Sequence, residues 1–168
     1  KYFPNTIFIF VGDHGIAGNA GKMFPDTWTS ERLDNMHVPL LFYAPSLLQP
    51  KRIHDFVSQV DLLPTAAGLA KIPYHNTSLG RDLLDSVQTP DKSFSFLYDP
   101  DQGYIGLLMG DFLYREQMTT HKGQLYSAVS NDRVDQVLMK DSLEKMSALT
   151  NGIYETSRYL LLNNKKKP

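Results

Sequence analysis

Asp13 and His14 are neighbouring residues, each of a type that binds metals. They follow Gly12, which comes directly after an apolar run at residues 7–11. A carboxylate beside an imidazole offers a divalent cation one oxygen ligand and one nitrogen ligand. Gly12 and Gly15 flank the doublet, and glycine allows the sharp backbone turn that would bring both side chains to one centre. The alternative interpretation is a strand that ends in a polar turn, with Asp13 capping a helix.

The apolar run at residues 7–11 is the element that must position this doublet. It is too short for a typical helix and suits a strand buried on both faces, as in the parallel sheet of an α/β fold. Open α/β sheets bind their ligands at the carboxyl ends of the strands. We therefore expect Asp13 and His14 side by side at the carboxyl end of a central strand, with both side chains facing a common cleft.

Two further segments carry motifs of a known superfamily. Residues 36–45 read MHVPLLFYAP, and residues 58–70 read SQVDLLPTAAGLA and are followed by GRDLL at residues 80–84. Together with the Gly-Asp-His-Gly turn, and in this order, they resemble the alkaline phosphatase/sulfatase superfamily over roughly residues 5–130. Most true sulfatases carry Asp-Asn in place of Asp-His. The doublet here is similar to that of the branch containing lipoteichoic acid synthases, membrane-oligosaccharide phosphoglycerol transferases and phosphoethanolamine transferases.

The resemblance implies an α/β fold class. The chain would be the C-terminal part of an alkaline-phosphatase-like α/β/α fold with a small C-terminal antiparallel sheet and a closing helix. Residues 1–90 would form the C-terminal portion of the catalytic core, and residues 91–168 a small antiparallel β subdomain plus helix, packed on the core as one unit. The N-terminal remainder of the same protein would then be a partner of this chain.

The function that the resemblance implies is metal-dependent transfer of a phosphoglycerol or phosphoethanolamine group from a phospholipid to a cell-envelope acceptor, through a covalent intermediate. The alternatives are a phosphodiesterase or phosphatase, a sulfuric ester hydrolase, and a non-catalytic module. His14 argues against the sulfatase version. The implied location is the extracytoplasmic face of a bacterial inner or plasma membrane, with the anchor in upstream segments.

Asp13 and His14 would ligate one divalent metal ion in this scheme, most simply Mn²⁺, with Mg²⁺, Ca²⁺ or Zn²⁺ as alternatives. The nucleophile, a Ser or Thr, is expected upstream, so we assign no catalytic residue in this segment. We therefore expect the segment alone to be inactive. The substrate would be a phospholipid head group or another phosphate or sulfate ester.

His37 and Arg32 are candidate substrate-binding residues. The resemblance puts His37 at the edge of the active site, where an imidazole would bind a phosphate oxygen; the alternative is a His at the start of a strand that hydrogen-bonds to the backbone. Arg32 would pair with an anionic substrate, or else lie on a solvated helix face. Asp61 is expected to be structural, capping the helix that follows it, and Arg81 to form a salt bridge back to the sheet.

The second half of the chain predicts a different architecture. Alternation at residues 94–98 and three further short apolar runs, separated by glycine-bearing turns, are typical of an antiparallel meander. A last helix is expected from Asp141, with Glu144 completing a capping box. Its apolar positions, spaced by four and three residues, predict a seam packed on the meander.

The composition of the chain excludes several kinds of site and argues against one class of partner. The net charge of −1 gives no electrostatic reason to expect nucleic-acid binding. A hydrophobic content of 42% with 21% charged residues describes an ordinary globular chain. With no cysteine, disulfides, thiolate metal sites and a cysteine nucleophile are all excluded.

Overall fold

The computed structural model of the protein describes residues 2–18, 23–85 and 93–164. The domain boundary predicted at residues 90 and 91 lies outside these ranges. Helices and strands follow one another along the described chain in this order: β1 (Phe8–Val11), α1 (Asp26–Ser30), α2 (Leu33–Met36), β2 (Leu40–Tyr43), α3 (Leu62–Ala70), β3 (Phe94–Asp99), β4 (Tyr104–Met109), β5 (Phe112–Gln117), β6 (Gly123–Ser127) and α4 (Lys140–Asn163).

The predicted fold class is confirmed. The chain is mixed α/β, with a four-stranded antiparallel sheet in its second half and a long closing helix. This arrangement is consistent with the C-terminal part of an alkaline-phosphatase-like fold. No helix within the described ranges is both long and apolar enough to cross a membrane.

Strands β1 and β2 form a two-stranded antiparallel sheet, in which Phe8 lies opposite Tyr43 and Val11 opposite Leu40. The expectation of a parallel strand buried on both faces was therefore wrong. Phe10 is 56% exposed, and no helix of the described residues packs extensively on β1 or β2. The physical reason is that an apolar run specifies which faces a strand is able to bury, whereas the covering of those faces depends on other elements.

The predicted meander is confirmed as a sheet with strand order β3-β4-β5-β6, each neighbouring pair antiparallel. Its first two hairpins turn at Gly103 and Gly110, whose φ angles of 70° and 56° lie in the left-handed region that glycine adopts without a steric penalty. Local alternation and turn chemistry were sufficient to predict this sheet, because every pairing joins consecutive strands.

Helix α4 lays an apolar seam on the meander, as its spacing predicts. Met146 is fully buried in a cluster with Leu107, Tyr114 and Leu125 of the sheet. The predicted capping box is wrong: α4 begins at Lys140, and no side chain caps its first turn.

The early start of α4 explains the missing capping box. Because the helix begins before Asp141, Glu144 lies one turn inside it. There the Glu144 carboxylate pairs with the Lys140 ammonium at 3.6 Å instead of accepting the backbone N–H of an N-cap residue.

A second cluster joins the first half of the chain to the meander. Trp28 of α1 is buried with Leu33 of α2 against Leu108 and Leu113 of the sheet. The Trp28 indole N–H also donates to the backbone oxygen of Ala128 at 2.9 Å, which satisfies its one polar atom in the core. This cluster holds the segment between β1 and β2 against the sheet.

Candidate metal-binding site

The turn that carries the doublet is held close to the segment preceding β2. The Gly12 N–H donates to the Pro39 oxygen at 3.2 Å, and the Gly15 N–H donates to the Asn35 oxygen at 2.7 Å. A Cβ atom on Gly15 would overlap the backbone oxygen of Asp34, so only glycine fits this close approach. Gly15 is therefore required by backbone packing, whatever the chemistry of the doublet.

His14 presents an exposed imidazole whose protonation pattern follows from its contacts. Its Nδ1 atom lies 2.7 Å from the backbone oxygen of Gly15. A carbonyl oxygen can only accept a hydrogen bond, so Nδ1 must be the donor and carry a proton. In the neutral ring Nε2 then bears the free lone pair, which is the form in which histidine binds metals.

Asp13 is also exposed, and its carboxylate stays close to the backbone of the doublet. Its Oδ1 atom accepts the backbone N–H of His14 at 3.0 Å. His14 lines an open depression together with Gly15, Ile16, Ala17 and Asn35, while Asp13 is not among the lining residues. Both residues follow β1 and neither is buried in a core, but the described chain gives β1 only one neighbouring strand.

The two side chains supply only part of a ligand set. Among the described residues, no three His, Cys, Asp or Glu side chains come close enough together to hold a metal ion. The donor chemistry nevertheless fits a divalent cation, because an exposed carboxylate stands beside a histidine whose Nδ1 hydrogen bond leaves Nε2 available. Any further ligands would have to come from elsewhere.

Gln59 contacts this turn, and we did not expect that contact from the sequence. Its side-chain amide Nε2 donates to the backbone oxygen of Gly12 at 2.7 Å and to that of Asp13 at 3.2 Å. An amide clamp of this kind has no spacing signature. The only available signal was the position of Gln59 inside the motif at residues 58–70.

His37 contributes to the neighbourhood of the turn mainly through its backbone, which lies against Gly15. Its exposed ring packs edge-on against Trp28, with centroids 5.2 Å apart, and against Phe24 at 5.7 Å. The role of its imidazole in substrate binding stays a prediction.

Arg32 points to a different part of the molecule from His14. It has a left-handed φ of 58° between α1 and α2, and its guanidinium pairs with Asp99 of β3 at 3.5 Å. Asp99 is shared with Arg115 of β5, also at 3.5 Å, and Arg115 in turn bonds to Glu31 at 2.6 Å. These ion pairs fasten the α1–α2 segment to the meander, and a substrate role for Arg32 stays a prediction.

Asp61 is structural, as expected, but the turn it caps is a different one. It is 3% exposed, and its carboxylate accepts the backbone N–H of Ser58 and that of Arg81, each at 2.9 Å. The Ser58 bond closes a capping box on the 3₁₀ turn Gln59–Asp61, whereas α3 receives no side-chain cap. Arg81 contacts the second sheet by donating to the backbone oxygen of Phe94 at 3.1 Å, but its ion pair, at 3.9 Å, is with Asp61 and not with a residue of the sheet as predicted.

A buried carboxylate, which the sequence did not single out, fastens α4 to β5. Glu116 accepts the Tyr114 hydroxyl at 2.5 Å and the Asn151 amide at 2.9 Å through the same oxygen. Burial alone would raise the pKa of Glu116, but hydrogen bonds from Tyr114, Asn151 and His121 outweigh it and lower the pKa below its ordinary value. Burial, together with the bond to Glu116, raises the pKa of Tyr114 to about 12.

Two comparisons with known proteins each match part of the chain. Residues 1–72 match the family model for Sulfatase. A chicken (Gallus gallus) protein named arylsulfatase K is 34% identical over 79 residues, which are 47% of this chain and 14% of that protein. The chain thus spans about a seventh of the length of this relative. Neither match singles out the branch of lipoteichoic acid synthases. Each match covers less than half of the chain, and together they support the resemblance of that part to the alkaline phosphatase/sulfatase superfamily.

Proposed function

We propose that this chain supplies two metal ligands, Asp13 and His14, to an enzyme that acts on esters of sulfuric or phosphoric acid. The observation that carries the proposal is the hydrogen bond from His14 Nδ1 to the Gly15 oxygen, beside an exposed carboxylate. It leaves Nε2 of His14 as the atom available to a cation. The match of residues 1–72 to the Sulfatase family supports the same chemistry.

The cation is proposed to be Mn²⁺, with Mg²⁺, Ca²⁺ and Zn²⁺ as alternatives. When bound, a divalent ion of this kind lowers the pKa of a hydroxyl nucleophile and neutralises charge on the ester oxygens. Asp13 contributes negative charge and an oxygen donor, and His14 a neutral nitrogen donor. The Ser or Thr nucleophile is proposed to lie in a part of the protein that precedes this segment.

Hydrolysis of a sulfate ester is the first candidate reaction. It is supported by the name of the chicken relative, arylsulfatase K, and by the family match. In this candidate the acceptor of the transferred group is water, and no lipid is required.

Transfer of phosphoglycerol or phosphoethanolamine from a phospholipid to a cell-envelope acceptor is the second candidate. The observation that favours it is the histidine in the doublet, which resembles the phosphotransferase branch. In this candidate the protein acts on the extracytoplasmic face of a bacterial inner or plasma membrane, held there by segments outside this chain.

The partner of this chain is proposed to be the N-terminal remainder of the same protein. Phe10 and Val11 of β1, with Leu41 and Tyr43 of β2, are each more than a third exposed although all four are large and apolar. Contiguous exposed apolar surface of this kind marks sites of further packing. Additional strands and helices would cover these faces and bring the missing ligands to the doublet.

The experiment that tests this function measures turnover of a longer protein that contains this chain. Aryl sulfate hydrolysis without lipid would support the first candidate, and release of diacylglycerol from phosphatidylglycerol would support the second. Asp13→Ala and His14→Ala should each lower the observed rate about a thousandfold, which corresponds to losing several kcal/mol of transition-state stabilisation. Turnover that persists in both variants would refute the assignment, and no activity on either ester class would favour a non-catalytic module.

A further inference from the structure

We propose that Gln59 is a positioning residue, which fixes the peptide unit between Asp13 and His14 so that both side chains are presented to one cation. This inference rests on the proposed function, because it assigns a role toward the same metal ligands. Its basis is the pair of hydrogen bonds that the Gln59 amide donates to the turn.

The peptide unit between Asp13 and His14 is held at both of its polar ends. Its carbonyl oxygen, that of Asp13, accepts a hydrogen bond from Gln59 Nε2 at 3.2 Å. Its N–H, that of His14, donates to the Asp13 carboxylate at 3.0 Å. Gln59 also binds the preceding carbonyl, that of Gly12, at 2.7 Å. One amide nitrogen with two N–H groups thus fixes two consecutive carbonyls and sets the direction in which the doublet leaves β1.

Gln59 is itself anchored through the turn that carries it. Asp61, at the end of the same 3₁₀ turn, is buried and accepts the Ser58 backbone N–H. The Ser58 hydroxyl lies 3.0 Å from that of Ser95 on β3. Through its two hydrogen bonds, Gln59 therefore connects the exposed pair of candidate ligands to the meander and α3. Outer contacts of this kind orient metal ligands, and their loss commonly costs about 10–100-fold in metal affinity.

An amide is the side chain that this position requires. In Gln59→Glu, a carboxylate of the same size would face two carbonyl oxygens with no proton to donate, so attraction would become repulsion. Gln59→Ala removes the clamp without that repulsion. Both variants should fold, because Gln59 is exposed and the capping box between Ser58 and Asp61 does not involve its side chain.

The chain contains a matched control. Gln136 also donates from one amide nitrogen to two backbone oxygens, those of Leu125 at 2.9 Å and Val134 at 3.1 Å, but it does so beside the meander. Gln136→Ala therefore removes a double clamp of the same kind, together with the Leu125 N–H bond that Gln136 Oε1 accepts at 2.9 Å, without touching the doublet. Any effect that both substitutions share reports general loosening of the fold.

The test is a titration of the 168-residue chain with Mn²⁺ alone. Binding is monitored through the paramagnetic broadening of the His14 ring signals in NMR spectra. Gln59→Ala should raise the apparent dissociation constant at least about tenfold, and Gln59→Glu by as much or more. Gln136→Ala should leave it unchanged. The ring ¹⁵N shifts supply a second readout, because wild type should show protonated Nδ1 and Gln59→Ala a mixture of the two tautomers.

Two results would overturn the role of Gln59 alone. One is unchanged Mn²⁺ affinity and an unchanged His14 tautomer in Gln59→Ala, and the other is an equal loss in Gln136→Ala. A different result would remove the proposed function as well. If Mn²⁺ broadens the His14 ring signals of wild type no more than those of exposed His54, the doublet is not a metal site, and Gln59 has no ligands to position.

Discussion

The buried hydroxyl of Tyr114 offers a sharp test of the contact between α4 and the meander. It donates to Glu116 at 2.5 Å, and Tyr114 is 1% exposed. Tyr114→Phe removes this hydrogen bond and the hydroxyl's contact with Ser147, and it keeps the buried ring. Because the acceptor is a carboxylate whose pKa is lowered in the folded chain, the substitution should reduce the free energy of unfolding at pH 7 by about 1.5–3 kcal/mol.

The same hydroxyl makes stability depend on alkaline pH. The pKa of Tyr114 rises from an ordinary value of 10.0 to about 12, so folding favours the neutral phenol. The resulting stabilisation is fully present below pH 10 and is lost as the pH rises through the folded-state value. A shift of two pKa units corresponds to about 2.7 kcal/mol in total, of which about half, ~1.4 kcal/mol, should be lost by pH 11.

The assay is urea unfolding of wild type and Tyr114→Phe at a series of pH values from 7 to 11. Every other titrating group is common to the two proteins, so the difference between their unfolding free energies isolates Tyr114. That difference should stay constant to about pH 9.5 and then shrink by about 1.4 kcal/mol at pH 11. A difference that stays flat over the whole range would refute the raised pKa of Tyr114, which burial and the bond to Glu116 cause.

Three further outcomes follow from the same contacts. Glu116→Gln should make the unfolding free energy depend less on pH in the acid range. A carboxyl whose pKa is lowered in the folded chain stabilises the fold above its ordinary pKa of 4.5 and loses this effect as the pH falls. The same acid dependence in wild type and variant, measured by urea unfolding, would contradict this expectation. Asp61→Ala should lower the unfolding free energy by about 2–4 kcal/mol, since it strands two backbone N–H groups, and a loss under 1 kcal/mol would contradict its structural role. The isolated 168-residue chain should not hydrolyse chromogenic sulfate or phosphate esters, and metal-dependent release of the chromophore would place the catalytic residues within it.

The meander and the seam of α4 were predictable because their signals are local. Alternating side chains, left-handed glycine turns at Gly103 and Gly110, and apolar positions spaced by four and three residues each specify an element and the face it buries. The start of α4 was misplaced because a capping box depends on which residue leads the first turn. The N-cap lies two residues earlier than predicted, at Met139 instead of Asp141.

The pairing of strands that are distant in the sequence was harder to predict. The apolar residues of β1 gave no indication that β2 would run antiparallel beside them, since either direction satisfies the same pattern. The Gln59 clamp and the buried Glu116 were also missed. Each depends on a tertiary contact, and a Gln before a helix or a Glu within a strand is an ordinary surface residue in most sequences.

The doublet itself was recognised from residue types and spacing, and the most direct test of it is a binding measurement. Mn²⁺ should broaden the ring signals of His14 in the wild-type chain at concentrations that leave those of exposed His54 unaffected. Asp13→Ala should weaken this selective effect by at least about tenfold, because one of the two ligands is lost. Equal broadening of His14 and His54 in wild type, or no change in Asp13→Ala, would contradict a metal site at this turn.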